Sequence, residues 1–212
     1  ETEALMADYR KVLAGLAHPG NAFVTTAQAL VERTLLNRIA YLAYMLQFVR
    51  DRNWSKRWAA RDSAMAGNVV WLNDRFWKQD KLIIVGHNYH ISKFSERERV
   101  MGQILLERFR DGMYSIGTFA GRGAYADNSG KTEQMTPPDS TGRDIKHLIG
   151  QMAGFAGFLN IPDKVEAGSD WLNEKITVND TFIDLNGSHE MILSRHFDGL
   201  LLLKSVSPPE KN

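Results

Sequence analysis

The centre of the chain alternates between two hydrophobic periods, and this alternation constrains the fold more than any other feature. Asp62–Lys78 carries Met65, Val69, Leu72 and Phe76 at i, i+4, i+7 and i+11, the spacing of one buried stripe on a helix. At Lys81–Gly86 the pattern changes to the short run Leu-Ile-Ile-Val, whose length and β-branching predict a buried strand. Ser95–Arg110 returns to helical spacing, with Val100, Ile104, Leu105 and Phe109 on its inner face. Ser95 and Glu98 stand there in the capping-box pattern. Met113–Phe119 predicts a second strand. Helix, strand, helix, strand is an α/β unit, and the crossover helix implies parallel strands.

The flanking sequence extends this reading. No proline stands between Pro19 and Pro137, which permits long uninterrupted helices. Thr2–Ala14 predicts a helix ending near Gly15, with His18-Pro19-Gly20 as its stop signal. Thr25–Arg50 predicts a longer helix, buried on a broad face through Leu30, Leu35, Ile39, Leu42, Leu46 and Val49. Gly121–Gly142, with Pro137-Pro138, predicts a long loop. Helix is expected at Arg143–Gly154 and Trp171–Lys175, and strand at Phe155–Ile161. A last buried strand, Phe197–Val206, is closed by Ser207-Pro208-Pro209. The expected fold class is therefore α/β: a mostly parallel central sheet, long flanking helices and a helix-rich N-terminal part. With no internal repeat and no linker, residues 1–212 are expected to form a single α/β domain.

Composition excludes several classes. With 212 residues, 43% hydrophobic, 24% charged and net charge +1, the chain is neither disordered nor fibrous. It has no cysteine, which excludes disulfides, thiolate metal sites and a thiol nucleophile, and fits a cytoplasmic location. Its longest apolar runs are far short of the roughly 20 residues that span a bilayer, so no membrane partner is expected. The near-neutral charge argues against nucleic-acid binding. Arg50–Arg61 does hold five basic residues with Trp54 and Trp58 interleaved. It reads either as a phosphate-binding patch or as a solvated helix end with two tryptophan anchors. The first residue is Glu1, so the chain is expected to be processed, trimmed or cut from something longer.

The strongest chemical signal is His87-Asn88-Tyr89-His90, directly after the predicted strand. In open α/β sheets, ligands bind outside the carboxyl ends of the strands, and imidazole suits proton transfer near neutral pH. A second signal lies on the Asp62–Lys78 helix and its approach, where Arg61 and Asn68 fall on the same face as Met65 and Leu72. There Arg61 either anchors a carboxylate or leaves the core at the helix end. There is no Gly-x-Ser-x-Gly nucleophile elbow, His-Glu-x-x-His or phosphate loop. His87 and His90 supply only two metal ligands unless His189-Glu190 or His196-Phe197-Asp198 folds close, so no metal or cofactor is expected.

Arg61 to Leu72, Arg-Asp-Ser-Ala-Met-Ala-Gly-Asn-Val-Val-Trp-Leu, resembles the Arg-acid-x-x-Met-Ala-x-Asn-x-x-Trp helix of the erythromycin esterase family. That family also includes proteins named for succinoglycan biosynthesis. His87-Asn88-Tyr89-His90 is similar to the family's His-Asn-x-His motif, and Met101-Gly102 with Tyr114-Ser115-Ile116-Gly117 to its Met-Gly helix and Tyr-x-x-Ile-Gly strand. Phe197-Asp198-Gly199 through Ser207-Pro208 is similar to its terminal strand. The resemblance implies a hydrolase that opens an ester or lactone with histidine-activated water, without a serine nucleophile or a metal. It implies catalytic roles for His87 and His90, and substrate-binding roles in the cleft for Arg61, Asp62, Asn68, Asn88 and Tyr89. The family's N-terminal half carries a Gly-Glu-x-x-His-Gly type motif with the proposed base, and nothing in these residues matches it. The chain is therefore expected to be the C-terminal portion of a longer protein, with an N-terminal segment completing the site. The alternative is a non-catalytic relative that binds a carbohydrate or small molecule.

Overall fold

The computed structural model describes residues 1–16, 22–127, 129–139, 142–162, 164, 168–180 and 188–208. The expected stop signal His18-Pro19-Gly20 and Pro209 lie outside them. The described chain forms two compact units, Glu1–Asn68 and Val69–Asn212.

The first unit is helical. α1 (Thr2–Gly15) lies along the C-terminal part of α2 (Ala22–Asp51), where Glu3 pairs with Arg50. α3 (Trp54–Phe76) starts eight residues before the periodicity predicts. Its start is set by local polar groups. Arg52 turns the chain at φ 53°, and Asn53 Oδ1 accepts the amide of Lys56 at 3.0 Å, a side-chain N-cap. α2 and α3 then run antiparallel: the Tyr44 hydroxyl donates to the Arg57 carbonyl, and Phe48 packs edge-on to Trp54. Arg57 sits over the rings of both Phe48 and Trp54, at 4.9 and 5.0 Å. The basic, tryptophan-bearing stretch thus staples a helical hairpin through aromatic and cation–π contacts, matching the anchor reading.

The second unit is mixed α/β. α4 (Asn88–Ile91) and α5 (Met101–Phe109) precede β1 (Ile116–Ala120). A small hairpin, β2 (Ala124–Ala126) and β3 (Thr132–Gln134), lies inside the expected loop. α6 (Ile145–Gly150), β4 (Ala156–Asn160), β5 (Lys175–Asn179), β6 (Ser188–Ile192), α7 (Leu193–His196) and β7 (Gly199–Leu203) follow. β7 is central in a three-stranded sheet, parallel to β1 and antiparallel to β4, while β5 and β6 pair separately. The core gathers Phe119, Leu200 and Leu202 from the sheet with Phe197, Ile145, Ile149, Val178 and Leu193.

Three expectations change. α5 begins at Met101 rather than Ser95, because Glu98 turns inward instead of capping a helix. The helix expected at Arg143–Gly154 shortens to α6, which the carboxylate of Asp144 caps by accepting the amide of Lys146 at 2.9 Å. The third concerns Lys81–Gly86. It runs without turn or bend but pairs with no strand among the described residues. Ile83 and Val85 are 92% and 93% exposed, so the run is not buried. Its β-branched sequence suits a strand, but a strand needs a neighbour on at least one edge.

Candidate active site

The His87–His90 motif forms a single helical turn at the end of the straight Lys81–Gly86 segment. His87 is the N-cap of α4, and its Nδ1 accepts the backbone amide of Tyr89 at 3.4 Å. That acceptor role puts the proton of the neutral ring on Nε2. Burial first, and the neighbouring His90 second, hold the His87 pKa below the ordinary histidine value. At neutral pH His87 is therefore an uncharged imidazole with Nε2–H as a donor. His90, three residues on, shares this turn, its ring 5.4 Å from that of Tyr89.

The two residues between the histidines anchor the turn. The Asn88 side chain spans the backbone of Thr118 in β1, donating Nδ2–H to the carbonyl at 2.6 Å and accepting the amide at Oδ1, 2.9 Å away. The Tyr89 hydroxyl donates to the buried carboxylate of Glu98. Both groups face the protein. Asn88 thus holds the turn against the middle of β1, and Tyr89 holds it against Glu98, ahead of α5.

A second layer fixes the chain beyond the turn. Ser115 Oγ donates to the Ile91 carbonyl at 2.7 Å, and the Lys93 amide donates to the His196 carbonyl at 2.9 Å. Ser92 Oγ lies 2.8 Å from His196 Nδ1 and donates to the Phe94 carbonyl at 2.7 Å. Ser92 is fully buried, so this serine–histidine pair braces the loop and is closed to substrate. Asp198 accepts the Ser115 amide at 2.7 Å and pairs with Lys93. Glu98 and Ser92 were not legible as supports of the motif, and His196 and Asp198, weighed from the sequence as further metal ligands, instead hold Ser92, Lys93 and Ser115. The separations in sequence, up to 105 residues for Lys93 and Asp198, carry no periodic signal.

Arg61, Asp62 and Asn68 lie in the first unit, and His87, Asn88, Tyr89 and His90 in the second. On α3 the shared apolar face of Arg61 and Asn68 is revised. Arg61 is exposed, and the buried polar group is Asp62, 1% exposed. Asn68 Oδ1 accepts from Arg33 Nε at 2.8 Å and Asn37 Nδ2 at 3.0 Å, tying α3 to α2. Among the described residues no group of three or more His, Asp or Glu side chains is placed to hold a metal ion.

Comparison with known proteins adds family and fold. The erythromycin esterase family profile matches residues 3–206. The chain is 28% identical over 161 residues to "Putative hydrolase YbfO" of Bacillus subtilis, covering 70% of this chain and 35% of that protein. A solved succinoglycan biosynthesis protein has the same fold, with a TM-score of 0.71 at 17% identity over 97% of this chain and 50% of its own. A Bacillus cereus protein matches with a TM-score of 0.67 at 20% identity, over 97% of this chain and 51% of its own. The chain thus spans about half the length of these solved structures and about a third of the Bacillus subtilis relative.

Proposed function

Because this chain belongs to the erythromycin esterase family, we propose that it carries the histidine half of a hydrolase site that opens a small-molecule ester or lactone. The observation that carries the reading is the His87–His90 turn, clamped to β1 by Asn88 and to Glu98 by Tyr89. In this reading His87 donates Nε2–H to the substrate carbonyl oxygen and stabilises the oxyanion that forms when water attacks. His90 relays the proton to the leaving alkoxide. Asn88 and Tyr89 hold the two rings in place, and Arg61, Asp62 and Asn68 are the substrate-binding candidates of the first unit. The general base belongs to polypeptide outside these residues, which contain no Glu-x-x-His. A cytoplasmic site of action suits the cysteine-free chain, and a macrolide substrate would make the activity one of antibiotic resistance.

The test is turnover of a macrolide lactone and of p-nitrophenyl esters by the full polypeptide bearing this sequence, with His87→Ala and His90→Ala. A fall of about 100-fold or more in either variant is expected, the scale of positioned acid–base groups. Unchanged rates in both would overturn the assignment. The absent base motif favours the second reading, a non-catalytic relative that binds a carbohydrate or small molecule. Saturable ligand binding by the full polypeptide with no product formed would select it.

A further inference from the structure

A groove of about 640 Å³ opens between the straight Lys81–Gly86 segment and the start of β1. Leu82 and Ile84 line it from that segment, Tyr114, Ser115 and Ile116 from the approach to β1 and its first residue, and Met101, Leu105 and Phe109 from the α5 region. Exposure along Lys81–Gly86 alternates: Leu82 is half-buried and Ile84 is 40% exposed, while Ile83 and Val85 stand almost wholly in solvent. That is the two-residue period of a strand with one face against the groove and the other bare. Yet none of its backbone groups joins a ladder to another described strand. Ile116, at the mouth of β1, is also exposed.

Two strands joined through a crossover helix either pair directly, about 4.8 Å apart, or leave room for another strand between them. Here they do not pair, and both border one apolar groove. We infer that the groove is a slot for one further β-strand, which pairs with Lys81–Gly86 on one edge and with Tyr114–Ile116, ahead of the Asn88 clamp on Thr118, on the other. The strand that fits carries four to six consecutive apolar, largely β-branched residues, because a strand inside a parallel sheet is covered on both faces. Its source is polypeptide outside these 212 residues. The solved relatives of this fold contain about as much chain again as matches here, which supplies the length. The edge is otherwise a long, flat, apolar template of the kind that folded proteins cover.

The inference does not depend on hydrolysis, and its test reads none. Overlapping 12-residue synthetic peptides, tiled across the part of the Bacillus subtilis relative that this chain does not match, are added to the 212-residue protein. Amide hydrogen exchange is then followed by mass spectrometry. One apolar peptide is expected to slow exchange at least tenfold in both 81–86 and 114–116, and Ile84→Pro, which removes an amide and breaks the edge, to abolish the effect. Unchanged protection of Gly199–Leu203 in β7 shows that this variant folds; if it is lost, Ile116→Lys serves instead. No slowing by any peptide, slowing confined to other segments, or slowing that survives the variants overturns the inference. So does protection without peptide that grows with protein concentration, which would mean that a second copy fills the slot.

Discussion

The side-chain amide of Asn88 replaces a strand partner for Thr118, donating to its carbonyl at 2.6 Å and accepting its amide at 2.9 Å. A carboxamide suits this because it presents a donor and an acceptor side by side on two separate atoms. Asn88→Ala should lower stability by roughly 2–4 kcal/mol in urea unfolding, since two partly buried backbone groups lose their partners. Asn88→Asp should recover only part of this, because a second acceptor then faces the Thr118 carbonyl. Equal stability of Asn88→Ala and the parent would show that the clamp is not made.

Burial, then the charge of Arg195, lowers the His196 pKa to about 4, although a hydrogen bond to the Phe94 backbone works in the opposite direction. The folded value lies below the unfolded one, so between pH 6.5 and 4 the unfolded chain binds more protons. Stability contributed by this group is then full above pH 6.5 and falls as the pH drops, by roughly 3 kcal/mol at the lower limit. Denaturant unfolding across this range should show the acid limb, and His196→Gln should flatten it. An unchanged slope in the variant would assign the acid limb to other groups.

Ring-proton NMR should show His87 titrating below the ordinary histidine range, as burial and then His90 disfavour its charged form. Its Nδ1 should carry the nitrogen-15 shift of an unprotonated acceptor at pH 7, because Tyr89 donates to it. A titration at or above the ordinary value would contradict the neutral donor assigned to this ring.

Lys146 and Asp180 form an ion pair at 2.7 Å with both side chains almost fully buried, and the Lys146 ammonium also donates to the Thr136 carbonyl at 2.7 Å. This joins the end of the long loop to the end of β5. Lys146→Met alone should cost about 3–5 kcal/mol, because it strands a buried carboxylate. Lys146→Met with Asp180→Leu should cost clearly less. Thermal unfolding of the single and double variants decides this, and a double variant as unstable as the single would refute it.

A methyl group at Gly102 would lie 2.3 Å from the Ser92 carbonyl oxygen and 2.4 Å from that of Ile91. Both are backbone atoms, so no side chain can swing aside. Gly102→Ala should destabilise by about 1–3 kcal/mol or more and displace the histidine turn, whereas Gly112→Ala, which meets nothing, should be tolerated. Comparable melting temperatures for the two variants would remove the close approach of α5 to the segment after the motif.

Much of the fold was legible because period and local chemistry are local properties. The apolar stripe through Met65, Val69, Leu72 and Phe76 marked α3, and the strands expected at Met113–Phe119 and Phe197–Val206 overlap β1 and β7, whose parallel pairing with each other the structure supplies. Family membership was legible in the motifs from Arg61 to Pro208. The partners were not. Nothing near Tyr89 announces Glu98 as its acceptor, and the capping-box pattern pointed that carboxylate to a helix end instead. β2, β3, β5 and β6 were missed because two-stranded pieces of three to five residues carry too little period to register.

The amino-acid sequence by itself determined which segments favour helix or strand, since these follow from side-chain period, branching and caps within a few residues of each other. It also determined the family and the paired histidines. Only the tertiary structure decided what Lys81–Gly86 becomes. An apolar run is buried or bare according to whether another segment lies on its edge, and that depends on contacts made far along the chain or beyond it. The same holds at the site: His87 is a neutral Nε2–H donor because Tyr89 and the surrounding atoms make it so, and Asn88 is a clamp because Thr118 is there to be held.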